Sequence, residues 1–472
     1  MMSANQSKFA PEWLVEPKDL NNIDSKIWPS GFKRSETGDI SVAGVPIGQL
    51  ASQFGTPLMV IDQDDFFARG KKVKSAFESA AAAVGSSAKI YYAGKSLLTT
   101  QIVKWIDQLG LNLDVSTGGE LALALSGGIS PDRIGLHGNN KSLYEIGRAV
   151  TANLGAIVID SEIEIERIAS VAGAQDKIQG VRIRVNSGVH AHTHEYLATA
   201  REDQKFGIAI SDVPAMVEKI RSHSHLKFLG LHSHIGSQIF ALDGFIESVR
   251  RLLPLHQQLL QGGPVPELNI GGGFGINYTV ADEAPAIEVF ADQITQEVAK
   301  ICSELGIEVP VLCFEPGRVI SGPAGITVYN VGTIKDVQLS EDGVAGVRKY
   351  VSIDGGMSDN ARPSLYSADY SPILASRSSS AKPALSRVVG KHCESGDIVV
   401  RNCYLPEDVN PNDLIAVAAT GAYCHSLASN YNYVTRPAIV AVRAGQAHLI
   451  LRAETEADMF ARDPGYSAEK TG

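Results

Sequence analysis

Between residues 57 and 319, short β-branched runs alternate with longer amphipathic stretches. No other feature constrains the chain as much, because this alternation is the pattern of βα units on a parallel sheet. An entry strand over 58–61 is followed by strand-like runs at 90–93, 113–115, 134–136, 156–159, 181–185, 228–231, 267–270 and 311–314. These eight runs are what a closed (β/α)8 barrel requires. Helical patterns at 99–109, 120–126, 143–151, 161–171, 212–222, 244–260 and 286–305 each lie between two of them.

Beyond residue 325 the texture changes to strand-like segments such as ITVYNVGTI, DIVVRNCYL and AIVAVRAGQAHLILR, separated by Gly, Pro and Asp-rich turns. At 472 residues the chain exceeds the roughly 250–300 residues over which one core keeps growing, so two domains are expected. The fold class is α/β: a (β/α)8 TIM-like barrel at 57–325 plus a second, mainly antiparallel β domain at 326–472. Residues 1–56 contribute the piece ISVAGVPI to that β domain, and SRSSSAKPALSR (376–387) is expected to be a surface loop.

The formal charge is −10, and the Lys and Arg residues are spread along the chain, which excludes a nucleic-acid or anionic-membrane surface as the first reading. The start, MMSANQSKFAPEW, lacks the apolar centre of a signal peptide, and no stretch approaches the roughly 20 apolar residues of a membrane span. A cytoplasmic location is expected. Five cysteines without a C-x-x-C spacing indicate neither a disulfide framework nor a thiolate metal site.

Active sites of (β/α)8 enzymes lie at the carboxyl ends of the strands. There this chain places Lys95, Ser116, His137, Asp160, Asn186, His234, Gly271 to Gly273 and Glu315. A lone lysine after a strand is usually a solvated charge, but an amine in a barrel mouth is suited to attack an aldehyde. The glycines of NIGGGFGINY follow the seventh strand, where backbone N–H groups can wrap an anion. Glu315 and Arg318 of EPGR close the eighth, and a carboxylate there can keep a pyridine nitrogen protonated.

A rival reading starts from His232 and His234, which alternation puts on one strand face as in metal sites. It predicts a metal-dependent barrel hydrolase. Such barrels carry H-x-H on the first strand and an aspartate after the eighth, where this chain has YAGK and FEPG, so no metal is expected. His190, His192 and His194 read as loop residues.

Taken together, YYAGKSLL, LDVSTGGELALAL, LHGNNKS, EDQKFG, LHSHIGSQIF, NIGGGFGINY, EPGR, DGGMSDNARPSLY, GKHCESGDIVV and ATGAYCHSLASNYN resemble the alanine-racemase-like, fold type III pyridoxal-phosphate decarboxylases. The resemblance implies that Lys95 carries pyridoxal 5'-phosphate as a Schiff base, that Glu315 meets the pyridine nitrogen and that His234 stacks on the ring. It implies that Ser237, Gly273 and Tyr423 hold the phosphate and that Gly272, Gly317 and Arg318 also bind the cofactor. It further implies substrate binding by Arg318, Arg362, Tyr366, Glu394 and Tyr423, with Cys393 and Glu394 reaching in from the partner of a homodimer. Both arginines and the ESGD after Cys393 favour meso-diaminopimelate, with lysine as product, over ornithine, arginine or a carboxylated polyamine. A non-catalytic regulator is disfavoured by the presence of Lys95, Glu315 and Cys393. Two departures are small: Ser96 follows the lysine where alanine is common, and Gly94 precedes it.

Overall fold

The computed structural model describes residues 7–189 and 205–466. His190, His192 and His194 lie outside the described residues. The chain divides into two compact units.

The barrel unit comprises the described residues of Phe67–Gly275 and Ala284–Ile320. Its strands are β1 (Ala88–Ala93), β2 (Asn112–Val115), β3 (Ile134–Leu136), β4 (Ala156–Ile159), β5 (Gln179–Asn186), β6 (Leu226–His232), β7 (Glu267–Asn269) and β8 (Val311–Phe314). Each pairs in parallel with the next, β8 returns to β1, and the sheet closes. The seven expected helices are present, with ends moved by up to three residues. The longest helix, Gln63–Ala83, precedes β1 and was not anticipated. Its Phe77 stacks on Phe314 of β8 at 3.9 Å between ring centroids and meets Phe274 at 5.4 Å, closing an aromatic layer outside the barrel wall.

Inside the barrel, charge is present but paired. Arg182 of β5 is buried, with Nε 2.8 Å from Glu267 Oε2 and Nη2 2.7 Å from the Tyr91 hydroxyl. Glu267 and Asn269 are two apart on β7, so both face the barrel axis, one layer above the other.

The second unit holds a mainly antiparallel sheet in the order Ile398–Pro406, Pro383–Val389, Val344–Ile353, Gly325–Glu341, Leu58–Asp62, Ala438–Arg443, Gln446–Leu451. Strand Leu58–Asp62 therefore belongs here rather than to the barrel that was expected to begin at 57: Leu58 lies opposite Val328, and Ala438 pairs with it in parallel. All five of its side chains are buried, so its apolar run is indistinguishable from a barrel strand until its partners are known. Ile276–Glu283 is likewise counted in this unit. ISVAGVPI forms two strands of a separate three-stranded sheet in the same unit, joined through Ile40 N–H to Ala375 O at 2.9 Å. The expected loop at 376–387 ends early, since Pro383–Val389 is a strand paired on both sides. Among the described residues no helix is long and apolar enough to cross a membrane.

Candidate active site

Glu315 leaves the end of β8 and is met by the last residues of the two strands that precede β8 in the barrel. Asn269, ending β7, donates from Nδ2 to Glu315 Oε1 at 2.7 Å. His232, ending β6, places Nε2 3.1 Å from Oε1 and 3.2 Å from Oε2. The register explains the meeting, because His232 is aligned with Asn269 and Asn269 with Cys313. His137, just after β3, puts Nε2 3.5 Å from Glu315 Oε1 and 3.2 Å from Asp114 Oδ1 of β2.

Burial pushes the Glu315 carboxyl up, but the His232 and His137 imidazoles outweigh it and hold the group well below its ordinary range. Asp114 moves the other way: burial, and then the charge of Glu315, raise it well above the usual carboxylate value. Burial lowers His137 to about 4 and lowers His232 as well. Glu315 is thus the ionised acid of the cluster, met by His232 Nε2 and by the Asn269 amide N–H. Such an acid is suited to accept from a protonated ring nitrogen.

His137, His232 and Glu315 bring ligand atoms within 4.8 Å of one another, a spacing that a metal ion could use. The pairing expected of the rival reading, His232 with His234, is not what is gathered. His234 turns its Nδ1 toward the N–H of Gly272 at 3.5 Å instead, and burial followed by the Lys95 charge hold its ring well below its ordinary value.

The glycines after β7 are required by geometry. Gly271 and Gly273 have φ of 77° and 105°, in the region that favours glycine. A Cβ on Gly272 would stand 1.9 Å from the Glu315 carbonyl oxygen, and one on Gly273 would stand 2.2 Å from that of Gly236. Beside this turn Arg318 Nη2 donates to Ser237 Oγ at 2.8 Å. Gly317 allows the EPGR turn to approach β1, since a Cβ there would lie 2.9 Å from that of Ala93. Lys95 sits on the one-turn helix Gly94–Ser96 with its side chain exposed, and its charge is felt by Asp114, Glu120, His137 and His234. Gly94 also gains a reason: a Cβ there would be 2.7 Å from the Asp114 carbonyl oxygen.

The remaining sequence candidates lie in the β unit. Asp397 ties two turns together, accepting from Met357 N–H at 2.6 Å and His392 N–H at 2.8 Å. The second of these turns displays Cys393 and Glu394 to solvent, and the Glu394 carboxylate accepts from the Ser395 hydroxyl at 3.3 Å. Arg362 opens the helix Arg362–Tyr366 and is 6% exposed, whereas Tyr366 at its end is 65% exposed. Tyr423 takes a left-handed backbone, φ 61°. The other four cysteines are buried, and none forms a disulfide.

Asp114 and Asn269 were not singled out from sequence. A charged residue inside an apolar strand, LDV, and an amide abutting a glycine run were the available signals.

Residues 70–322 match the family model described as the pyridoxal-binding domain of pyridoxal-dependent decarboxylases. Among curated proteins, the chain is 48% identical over 450 residues to the diaminopimelate decarboxylase of Mycobacterium tuberculosis, covering 94% of this chain and 98% of that one. It is 38% identical over 435 residues to that of Bacillus subtilis, covering 91% and 96%. Among solved structures, the diaminopimelate decarboxylase of M. jannaschii in complex with L-lysine superposes with a TM-score of 0.84 at 29% identity, covering 92% of this chain and 98% of that one.

Proposed function

The chain belongs to the diaminopimelate decarboxylase family of pyridoxal-dependent enzymes, and from that premise we propose that it removes one carboxylate of meso-2,6-diaminopimelate to yield L-lysine and CO2, the last step of lysine biosynthesis. The observation that carries the reading is Glu315, buried at the end of β8 and kept ionised by His232, with Asn269 holding one of its oxygens.

The cofactor is pyridoxal phosphate, and the barrel mouth fits it. The turn at Gly272 and Gly273, packed so closely on the Glu315 and Gly236 carbonyls that no Cβ fits, would let main-chain N–H groups meet a phosphate, and an ionised acid stands at the neighbouring strand end. When bound, this group supplies an electron sink for the pair released as CO2 departs.

Lys95 would hold the cofactor through its amine, and Glu315 would accept the pyridinium N–H. His234 would offer an uncharged ring face. Ser237, Gly273 and Tyr423 would bind the phosphate, with Gly272, Gly317 and Arg318 also lining the cofactor. Arg318, Arg362 and Tyr366 would take the substrate carboxylates, with Tyr423 beside them and Glu394 on the distal amine. Cys393 would deliver a proton from Sγ to the carbon that has lost CO2. In this reading Cys393 and Glu394 serve the partner's site of a homodimer.

The purified protein supplied with the cofactor is incubated with meso-diaminopimelate, ornithine or arginine, and CO2 and product are measured. Lysine from the first substrate alone is expected. Activity on ornithine without lysine formation would overturn the substrate assignment, and visible cofactor absorbance surviving in Lys95→Ala would move the attachment to another lysine.

A further inference from the structure

The buried Arg182 is met by an acid, with Nη2 2.7 Å from Glu267, and the partly exposed Arg377 lies 2.8 Å from Asp413. Arg362 is different. Among the described residues its side-chain partners are neutral. Nη1 donates to the Tyr370 hydroxyl at 2.6 Å, and the guanidinium carbon lies 4.6 Å from the centre of the Tyr278 ring and 5.6 Å from that of Tyr370. The two rings meet edge to face at 5.1 Å and 78°.

The enclosure is itself anchored. A guanidinium only donates, so the Tyr370 oxygen accepts from it, and its own hydrogen is left for Cys424 Sγ, 3.7 Å away. Tyr278 is fixed through its main chain: its N–H donates to Asp282 at 2.9 Å, and its carbonyl accepts from the Ser371 hydroxyl at 2.9 Å. A cation surrounded by π faces and one phenol keeps its charge and its orientation, yet retains the need for an anion. A ligand that brings a carboxylate answers that need, and one without a carboxylate leaves the cation uncompensated, which is how a polar site discriminates strongly.

We infer that Tyr278 and Tyr370 are specificity-determining positioning residues, which hold the Arg362 guanidinium in the orientation that selects ligands bearing a carboxylate remote from the reacting centre. The inference rests on the role proposed above for Arg362. Tyr278 is the last residue of the run NIGGGFGINY and is counted with the β unit, as are Arg362 and Tyr370.

The test uses the cofactor-loaded full chain. Steady-state constants for meso-diaminopimelate are measured together with inhibition constants for L-lysine and for 1,5-diaminopentane, which is lysine without its carboxylate. In Tyr370→Phe the KM and the lysine inhibition constant are expected to rise about tenfold, the loss of one hydrogen bond to a charged group, with little change in kcat. The diaminopentane constant and the visible cofactor absorbance stay as in the wild type. Tyr278→Leu removes a ring face without touching that hydrogen bond and is expected to shift the same two constants, so the inference stays testable if either variant fails to fold.

Arg362→Ala separates the two levels of the claim. If it leaves lysine binding unchanged, the carboxylate role of Arg362 falls, and the inference with it. If it weakens lysine binding while both tyrosine variants match the wild type, the inference alone falls. Equal weakening of lysine and diaminopentane in the tyrosine variants also overturns it, because a merely structural role would produce that result.

Discussion

Asn269 holds Glu315 by a single amide: its Nδ2 donates to Glu315 Oε1 at 2.7 Å, while its Oδ1 accepts from the Gly271 N–H at 2.9 Å. The acid and the first glycine of the cradle are thereby indexed to the same side chain. Asn269→Asp tests this relationship with almost no change of shape. The aspartate can still accept from Gly271, but it sets a second carboxylate against Glu315 and removes the donor. Cofactor affinity, followed by visible absorbance during titration, is expected to fall ten- to a hundredfold, the effect of about 1–3 kcal/mol. Unchanged affinity would mean that His232 alone is sufficient to hold the acid.

Gly273→Ala should be far more harmful than an average glycine substitution. Its φ of 105° strains any L side chain, and the new Cβ would lie 2.2 Å from the Gly236 carbonyl oxygen. Overpacking of this kind costs about 1–3 kcal/mol, and the cradle must move to relieve it. Both the melting temperature and the inorganic phosphate affinity of the cofactor-free protein are expected to fall. Gly128, where nothing lies within 4 Å of the added carbon but φ is 87°, is the control for strain without collision.

What could be read in advance follows from where the information resides. The barrel strands were legible because each is a short apolar run ending in a polar or glycine residue. Leu58–Asp62 carries the same apolar signal, and its true partners, Gly325–Glu341 and Ala438–Arg443, lie far along the chain. The helix Gln63–Ala83 was hidden because its alanine-rich sequence presents little apolar contrast between faces. In the site, Lys95, the glycines and Glu315 declare themselves by position after a strand. Asp114, His137 and His232 acquire their meaning only through their distances to Glu315 and to one another, which depend on strand register.

Lys141 tests how the loop after β3 is held. Its amine is buried and donates to the carbonyls of Gly138 and Val158, at 2.6 Å each, and to Glu164 at 3.0 and 3.1 Å. Lys141→Met leaves Glu164 buried without its cation, which costs about 3–5 kcal/mol. Adding Glu164→Gln removes that charge and keeps an acceptor for the Asp160 N–H, so chemical denaturation should show much of the loss recovered. A double variant as unstable as the single one would show that the carbonyl contacts, rather than the ion pair, dominate.

The sharing of sites between subunits proposed above predicts an exchange experiment. Lys95→Ala and Cys393→Ala proteins are each expected to be inactive as homodimers. Unfolded together and refolded, they form mixed dimers in half of the cases, and each mixed dimer has one site with both residues intact. Recovered activity should approach about a quarter of the wild type. No recovery in dimers shown to be mixed would place both residues in the site of one subunit.

Asp359 gives a pH dependence to the β unit. Its carboxylate is buried, accepts from the Tyr329 hydroxyl at 2.6 Å and from the Gly356 N–H at 3.0 Å, and burial pushes it up from 3.8 to about 7 against those two bonds. A group whose folded value is raised binds its proton more tightly in the folded chain. Its stabilising contribution is fully present below pH ~4, declines as the unfolded chain ionises, and is lost as pH rises through about 7. The total is on the order of 4 kcal/mol. Asp359→Asn cannot ionise, so its stability relative to the wild type should climb across that window even if its amide, facing the Gly356 N–H, lowers the curve throughout. Urea unfolding at pH 5, 6, 7 and 8 reads the difference directly. Wild-type and variant curves that stay parallel from pH 5 to pH 7 would show that Asp359 is already ionised in the folded protein, with Tyr329 and Gly356 outweighing its burial.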